Sequence, residues 1–131
     1  MEPSKIVRDY MTSALVVLAP DLDVLRAMQK LIEHRISGAP VVDAHGNLVG
    51  LLTQRDCLTV AFRSGYHQEP PGKVADYMTG EVETVAADTT LVEVIEKFVR
   101  SPFRRFPVME GNRLVGQISR RDILRAVIEL W

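Results

Sequence analysis

The feature that most constrains this chain is an internal repeat that covers almost all of its 131 residues. Segment 7–12 (Val-Arg-Asp-Tyr-Met-Thr) returns as segment 74–79 (Val-Ala-Asp-Tyr-Met-Thr), and the register holds as far as Pro40 and Pro107. Beyond that point the second copy is one residue shorter, at a predicted turn between two strands. One copy of about 60 residues buries its apolar faces poorly, so we expect the two copies to pack against each other.

Each copy has the pattern strand, helix, strand, strand, helix. Apolar residues recur at helical spacing over 24–32 and 91–99. Asp23 is the predicted cap of the first helix, and Thr90 with Glu93 is a predicted capping box for its counterpart. The predicted strands lie at 15–18, 39–42 and 48–52 in the first copy and at 82–85, 106–109 and 114–118 in the second. The prediction is an α+β (mixed α/β) fold, in which each copy is a small, mainly three-stranded sheet packed on two helices.

The last strand of each copy ends on a hydroxyl residue, and an acid follows three positions later. The shared pattern is Gly-x-x-Ser/Thr-x-Arg-Asp, and its hydroxyl and acid are Thr53 with Asp56, and Ser119 with Asp122. A hydroxyl at a helix start can cap the free backbone amides there, and those amides can equally bind a phosphate. The acid could accept hydrogen bonds from ribose hydroxyls. Capping alone also accounts for the pattern, because Ser/Thr-x-x-acid resembles a capping box, and both interpretations stay open.

The order of these motifs resembles that of the cystathionine-β-synthase (CBS) domain. The matching motifs are Asp-Tyr-Met-Thr, a short strand, an Asp before an apolar helix, Ala-Pro-Val-Val-Asp, Gly-Asn-Leu-Val-Gly and Thr-x-x-Asp. Two copies in tandem resemble a CBS pair, also called a Bateman module, over residues 7–130. The resemblance implies two copies related by pseudo-twofold symmetry, with a first motif at 7–62, a linker at 63–73 and a second motif at 74–130.

The resemblance also implies a ligand, because CBS pairs sense adenosine-containing molecules in clefts between the two motifs. AMP, ADP, ATP, S-adenosylmethionine and NAD are among the ligands that the family binds. By resemblance, the hydroxyls of Thr53 and Ser119 meet phosphate, and the carboxylates of Asp56 and Asp122 meet ribose. The residues that the resemblance places around the adenine are Val17, Ala39 and Pro40 in the first copy and Thr84, Phe106 and Pro107 in the second. Phe106 either stacks on the base or fills the slot with its own ring.

The two clefts are not expected to be equal, because arginines concentrate in the second copy. Segment 101–131 has six arginines against three acidic residues, a net charge of +3, although the whole chain has a formal charge of −1. Gln54 stands where the second copy has Arg120, and segment 37–38 (Ser-Gly) stands for Arg104 and Arg105. Because arginine holds phosphate in a bidentate manner, we predict that the site beside Ser119 is the better phosphate site, with a preference for polyphosphate over adenosine alone. Alternatively, these arginines form a solvated face or pair with acids of another subunit.

Composition argues against several other classes of protein. A net charge of −1 predicts neither nucleic acid nor an anionic membrane as partner. No apolar run approaches the roughly 18 residues of a membrane span, and no signal peptide is indicated. Cys57 is the only cysteine, which excludes an internal disulfide, and a small core residue is its expected role. These features fit a cytoplasmic protein. The three histidines are not at metal-ligand spacing, so we predict no metal site.

No catalytic motif is found, so we predict that the chain is not an enzyme and requires no cofactor. Two classes of function remain. The first is a regulatory module that senses an adenosine nucleotide and signals in trans to an unknown partner protein. The second is a structural dimerisation module whose motifs are only helix caps. The last helix, predicted over 123–131, and its counterpart around 58–62 are apolar around much of their circumference, which together with the resemblance predicts a homodimer.

Overall fold

The computed structural model describes residues 5–131, which form two compact units. The first unit is Val16–Val82, and the second unit is Glu83–Trp131 together with the described residues up to Leu15. Each unit has a hydrophobic core of its own. The fold is mixed α+β, as the repeat predicts, and the described residues form four α-helices and two small sheets.

The first unit is a β-hairpin packed on two helices. Its elements are α1 (Val24–Glu33), β1 (Gly38–Val42), β2 (Leu48–Thr53) and α2 (Gln54–Tyr66). The strands pair antiparallel, and Leu18 adds one parallel bridge to Val41. Helix α1 presents Val24, Ala27 and Leu31 on one face, which is the buried face, so its apolar periodicity explains its orientation. The turn between the strands is held by Asp43, whose carboxylate accepts the backbone amides that follow it.

The second unit repeats this plan with a more regular sheet. Its elements are β3 (Val85–Ala86), α3 (Leu91–Arg100), β4 (Arg105–Glu110), β5 (Arg113–Ser119) and α4 (Arg120–Leu130). Strand β3 is parallel to β4, and β4 is antiparallel to β5. Leu91, Val94 and Phe98 occupy the buried face of α3. The register of the hairpin places Arg105 opposite Ser119, beside the start of the last helix.

The opening segment of the first repeat is part of the second unit. Val7 is fully buried in the core of the second unit, and its amide donates to the Thr89 carbonyl at 2.8 Å. Further along, Thr12 and Gln117 exchange two backbone hydrogen bonds of 2.8 and 2.9 Å, so the segment runs along β5. A side chain at Gly116 would obstruct this contact, because a Cβ there would lie 2.6 Å from Sδ of Met11.

The opening segment of the second repeat is in the same way part of the first unit. Val74 is fully buried in the core of the first unit, and its amide donates to the Leu22 carbonyl at 2.9 Å. Thr79 and Leu51 exchange two backbone hydrogen bonds of 2.9 and 3.0 Å. The compact units therefore differ from the sequence repeats, since each repeat contributes its first residues to the core that the other repeat builds.

This exchange corrects the predicted first strands. The strand expected at 15–18 is reduced to the bridge at Leu18, and the strand expected at 82–85 becomes Val85–Ala86. Thr12 and Thr79 end the pairing in one unit, and the residues after them lead to the other unit. The residues that follow Thr12 and Thr79 therefore do not form the long first strands that the sequence predicts. The remaining predicted strands are confirmed within one or two residues at each end.

Both helix caps predicted outside the ligand sites are present in the structure. The Asp23 carboxylate accepts the Leu25 amide at 3.0 Å, and the Thr90 hydroxyl accepts the Glu93 amide at 3.2 Å, so both caps are confirmed. Helix α2 continues to Tyr66, inside the segment predicted as the linker. The boundaries of the two motifs and of the linker stay a prediction.

The exchange predicts that two matched substitutions act on opposite repeats. Val7→Ala should lower the free energy of unfolding by about 2 kcal/mol through lost burial and an unfilled cavity, and Val74→Ala should do the same. In hydrogen exchange read by mass spectrometry, Val7→Ala should raise the exchange of β4 and β5, and Val74→Ala that of β1 and β2. Each variant serves as the control for the other. If the mutation instead raised hydrogen exchange in the hairpin of the mutated residue's own repeat, the opening segments would not pack on the opposite repeat.

Candidate functional site

The site in the second unit is built where β5 ends and α4 begins. Ser119 is extended and caps the helix, because its hydroxyl accepts the Asp122 amide at 3.1 Å. In return, Oδ2 of Asp122 accepts the Ser119 amide at 2.9 Å. Asp122 is only 4% exposed, and its Oδ1 accepts a hydrogen bond from Arg125, which lies one turn further along the helix. Ser119 and Asp122 therefore form a capping box at the start of α4.

The first unit has the same arrangement where β2 meets α2. The Thr53 hydroxyl accepts the Asp56 amide at 3.2 Å, and Oδ2 of Asp56 accepts the Thr53 amide at 2.9 Å. The Thr53 hydroxyl also lies 3.0 Å from the same Oδ2 and donates to it. Thr53 and Asp56 are both half-buried, which leaves part of each side chain accessible from solvent.

A cavity of about 420 Å³ opens beside the Ser119 cap, within the second unit. This volume is within the range of small-molecule sites in proteins. Five residues predicted for the ligand site line it, namely Arg104, Arg105, Ser119, Arg120 and Asp122. The structure thus brings together the hydroxyl, the acid and the three arginines that the sequence singled out.

The position of the arginines follows from the strand register and the helix start. The Arg120 amide donates to the Arg104 carbonyl at 3.0 Å, which ties the start of α4 to the residue before β4. Nε of Arg120 donates to the Phe103 carbonyl at 3.0 Å and holds this side chain near the rim. Burial lowers the pKa of Arg105, the neighbouring Arg104 lowers it further, and Asp122 opposes both effects. The cavity wall is thus positive, and the half-buried Arg105 lies close to a second cation, Arg104.

Sequence reasoning missed three residues of this cavity. Thr12, Gln117 and Arg121 also line it. Thr12 had a detectable signal, because it closes the repeated Asp-Tyr-Met-Thr motif, but only the exchange of the opening segments explains why it lies at the second site. Arg121 is the arginine of the shared Arg-Asp pair. No sequence signal identifies Gln117, whose counterpart in the first copy is Leu51.

The residues predicted around the adenine have less uniform positions. Phe106 is fully buried, with its ring centre 4.7 Å from that of Phe98, and Nζ of Lys97 lies 5.1 Å from the centre of the Phe106 ring. Of the two roles considered for Phe106, stacking on the base or filling the slot with its own ring, the burial of the ring favours the second, and its role toward a ligand stays a prediction. Ala39, Pro40 and Pro107 are buried, Thr84 is half-buried, and Val17 is 44% exposed. Their contact with a ligand stays a prediction.

Other chemistry near the sites is limited. Cys57 is half-buried and packs against the core of the first unit, and burial and the Asp56 carboxylate both raise the pKa of its thiol. Within residues 5–131, no group of three or more His, Cys, Asp or Glu side chains is placed to hold a metal ion. In the same part of the chain, none of the helices has the length and apolar character needed to cross a membrane.

Comparison with known proteins identifies the family. The family model of the CBS domain matches residues 7–63 and again 74–129, so the chain belongs to the CBS-domain family and carries two CBS domains in tandem. The structure of CBSX2 of Arabidopsis thaliana in complex with AMP superimposes with a TM-score of 0.85 at 28% identity, covering 96% of this chain and 98% of that one. The CBS domain pair of protein MJ0100, in complex with 5′-methylthioadenosine and S-adenosyl-L-methionine, gives a TM-score of 0.80 at 26% identity, covering 97% and 98%.

Curated relatives differ in length. An uncharacterised 17.7 kDa protein of Acidianus ambivalens is 27% identical over 95% of this chain and 74% of its own length. Other relatives are longer, and the chain spans 44% of one and 31% of another. The similarity to these relatives therefore concerns the CBS pair, and it does not extend to the remaining parts of the longer proteins.

The capping geometry predicts how the Ser119 site responds to substitution. Ser119→Ala should lower the free energy of unfolding by about 1 kcal/mol, because the Asp122 amide loses its acceptor. Ser119→Asn should restore most of that loss, since asparagine is an equally good cap. The measurement is urea denaturation followed by circular dichroism. Arg113→Gln, an exposed change on β5 away from the cap, is the control, and an unchanged midpoint for Ser119→Ala would show that the cap contributes nothing.

Proposed function

We propose that the chain is a regulatory module that binds an adenosine-containing ligand, with sites at the Ser119 and Thr53 helix starts. AMP, ADP and ATP are the ligands considered first, and S-adenosylmethionine and NAD are the alternatives. The observation that carries the proposal is the cavity beside Ser119, where a capped helix start, an acid and arginines meet in one unit. The similarity to CBS pairs whose structures hold AMP or S-adenosyl-L-methionine supports it.

The capping bonds leave room for this role. An ionised carboxylate has about four acceptor positions on its two oxygens, and the described bonds of Asp122 use two of them. Its outer lone pairs can accept ribose hydroxyls. A serine hydroxyl that accepts one amide can still donate its own proton to a phosphate oxygen. The cap therefore preorganises the two side chains for a ligand and does not consume them.

Signalling is the second part of the proposal. A bound ligand changes the behaviour of a partner protein only if it binds two arrangements of the module with different affinity, and the shift is limited by that difference. We propose that the partner is a separate protein.

The ligand prediction is tested with substitutions that keep the helix caps. At a hundred times its dissociation constant, an adenosine ligand should stabilise the wild type by about 2.7 kcal/mol, which thermal shift detects. Ser119→Asn with Asp122→Asn should keep a folded protein and lose that shift if the second site is used. The pair Thr53→Asn with Asp56→Asn tests the first site in the same way. AMP, ADP, ATP, NAD and S-adenosylmethionine form the panel, and calorimetry gives the affinities.

GTP is the control for the base, because it carries the same phosphates as ATP. Stabilisation by an adenosine ligand that survives in both double variants would contradict the proposed sites. If no member of the panel stabilises the wild type, the module is not an adenosine sensor, and the second candidate function below takes its place.

A second candidate, a dimerisation module, is favoured by a repeated apolar groove. In the second unit a groove of about 270 Å³ is lined by Ile95, Phe98, Val99, Arg120, Ile123 and Leu124. In the first unit a groove of about 310 Å³ is lined by Met28, Leu31, Ile32, Gln54, Cys57 and Leu58, which are the same six positions of the repeat. Two unrelated surfaces would not share every position, so the groove is a repeated feature of the module.

The side chains around these grooves are exposed in matched pairs. Ile32 and Val99, at one repeat position, are 76% and 80% exposed, and Leu58 and Leu124, at another, are 70% and 64% exposed. Exposed aliphatic side chains that recur in this way suit burial against a second copy, which brings the same surfaces to the interface. We propose a homodimer through these helices, and it is compatible with either function.

The dimer predicts that charges in the grooves separate the subunits. Ile32→Glu combined with Val99→Glu should give a folded monomer in sedimentation velocity, because both side chains are exposed in the isolated chain and their replacement costs the fold little. Arg113→Glu, on β5 and outside both grooves, should leave the dimer unchanged. A wild type that sediments as a monomer at high concentration would contradict this proposal and leave the ligand sites untouched.

A further inference from the structure

The strongest feature that the proposed function leaves unexplained is the charge of the cavity beside Ser119. Four arginines line it, Arg104, Arg105, Arg120 and Arg121, against one carboxylate, that of Asp122. That carboxylate already accepts hydrogen bonds from the Ser119 amide and from Arg125. Within the lining residues, the excess is three positive charges. Holding like charges this close costs free energy unless an anion compensates them.

The first unit provides an internal comparison. At the positions of Arg104, Arg105 and Arg120 the first copy has Ser37, Gly38 and Gln54, and only the position of Arg121 keeps its arginine, as Arg55. The capping geometry is nevertheless the same in the two units. The hydroxyl and the acid thus belong to the common plan, whereas the arginine cluster belongs to the second site alone.

We propose that the Ser119 site selects ligands with two or more phosphates and rejects adenosine ligands whose substituent is neutral or cationic. This inference rests on the proposed function and specifies its ligand as an adenosine di- or triphosphate. The three exposed guanidinium groups at the cavity, those of Arg104, Arg120 and Arg121, carry more charge than one phosphate group, with a charge of at most about −2, compensates. A second or third phosphate completes the compensation. The sulfonium of S-adenosylmethionine would add a positive charge to an already positive wall.

Arg104 and Arg121 are the residues that determine this selectivity. Both are exposed at the cavity, so their guanidinium groups can reach a phosphate. The buried Asp122 keeps its hydrogen bond from Arg125 when they do. The Nε of Arg120 already donates to the Phe103 carbonyl, and Arg105 is half-buried and interacts electrostatically with Arg104 and with Asp122. Guanidinium groups bind phosphate oxygens through two parallel hydrogen bonds, which a single point charge does not provide.

The experiment compares inorganic tripolyphosphate, AMP, ADP, ATP, 5′-methylthioadenosine and S-adenosylmethionine by calorimetry. Chelator is present, so that divalent cations do not mask the phosphate charge. We expect affinity to rise from AMP to ADP to ATP, and we expect added salt to lower the affinity of the phosphate-bearing ligands only. In Arg104→Gln with Arg121→Gln, the affinity for ATP should fall by on the order of a hundredfold, because charge-assisted hydrogen bonds are lost at two positions.

Two controls make the result specific. Arg113→Gln with Arg100→Gln removes the same charge from exposed positions that do not line the cavity, and ATP affinity should stay within about twofold, since distant exposed charges are screened. 5′-Methylthioadenosine, which has no phosphate, should bind weakly to the wild type, and its affinity should be the same in Arg104→Gln with Arg121→Gln. Unchanged circular dichroism and thermal midpoint in that variant establish that its fold is intact.

The outcomes separate this inference from the proposed function. Adenosine ligands that depend on Ser119 and Asp122 but bind equally with one, two or three phosphates would leave the sensor standing and overturn the selectivity. Tripolyphosphate binding that depends on Arg104 and Arg121, with no binding of any adenosine ligand, would keep the polyphosphate site and refute the adenosine sensor. Tighter binding of S-adenosylmethionine than of ATP at the Ser119 site would overturn the inference. It would also be overturned if Arg104→Gln with Arg121→Gln dissociated a wild-type dimer and left the ATP affinity unchanged.

Discussion

Each unit depends on the close contact between the opening segment of the other repeat and a glycine of the last strand, Gly116 or Gly50. At Gly116 a Cβ would lie 2.6 Å from Sδ of Met11 and 2.9 Å from the Thr12 carbonyl, and at Gly50 the corresponding distances to Met78 and Thr79 are 2.5 and 3.0 Å. Only a residue without a side chain lets the segment lie flat on the strand and form its two backbone hydrogen bonds. The buried valine at the start of each segment then completes the core beneath it.

That contact also positions the ligand site. The strand that receives the crossing segment is the one whose end caps the last helix, so Thr12 comes to lie at the same cavity as Ser119. A cavity wall is thus supplied by a part of the chain more than a hundred residues away in sequence. A substitution in the opening segment can therefore alter the site without touching the hydroxyl, the acid or the arginines.

Local patterns determined what the sequence could predict here. The helices, the two hairpins and the caps at Asp23 and Thr90 follow from periodicity and from residues a few positions apart, and the structure confirms them. The pair Ser119 and Asp122 was found for the same reason. The exchange of opening segments was not predicted, because the opening segments of the two repeats are nearly the same and carry no local signal that says which copy each packs on. The first strands and the role of Thr12 depend on that exchange.

The role of Phe106 shows a second limit of the same kind. Sequence places an aromatic ring beside the predicted adenine slot, but whether the ring faces a ligand or the core depends on its neighbours in space. Phe98 and Phe103, from α3 and the loop after it, lie with ring centres 4.7 and 5.9 Å from that of Phe106, and the core claims the ring.

The difference between the two sites is anchored in the backbone as well as in charge. Gly38 lies opposite Thr53 in the first hairpin, as Arg105 lies opposite Ser119 in the second. A Cβ at Gly38 would lie 3.0 Å from the Leu52 carbonyl oxygen and 3.4 Å from Cα of Thr53. The backbone of the neighbouring strand therefore leaves too little space for a side chain at this position. Changing Gly38 to arginine would therefore strain the hairpin before it could bind an anion. The two copies have diverged in packing, and the packing keeps the arginine cluster at one site.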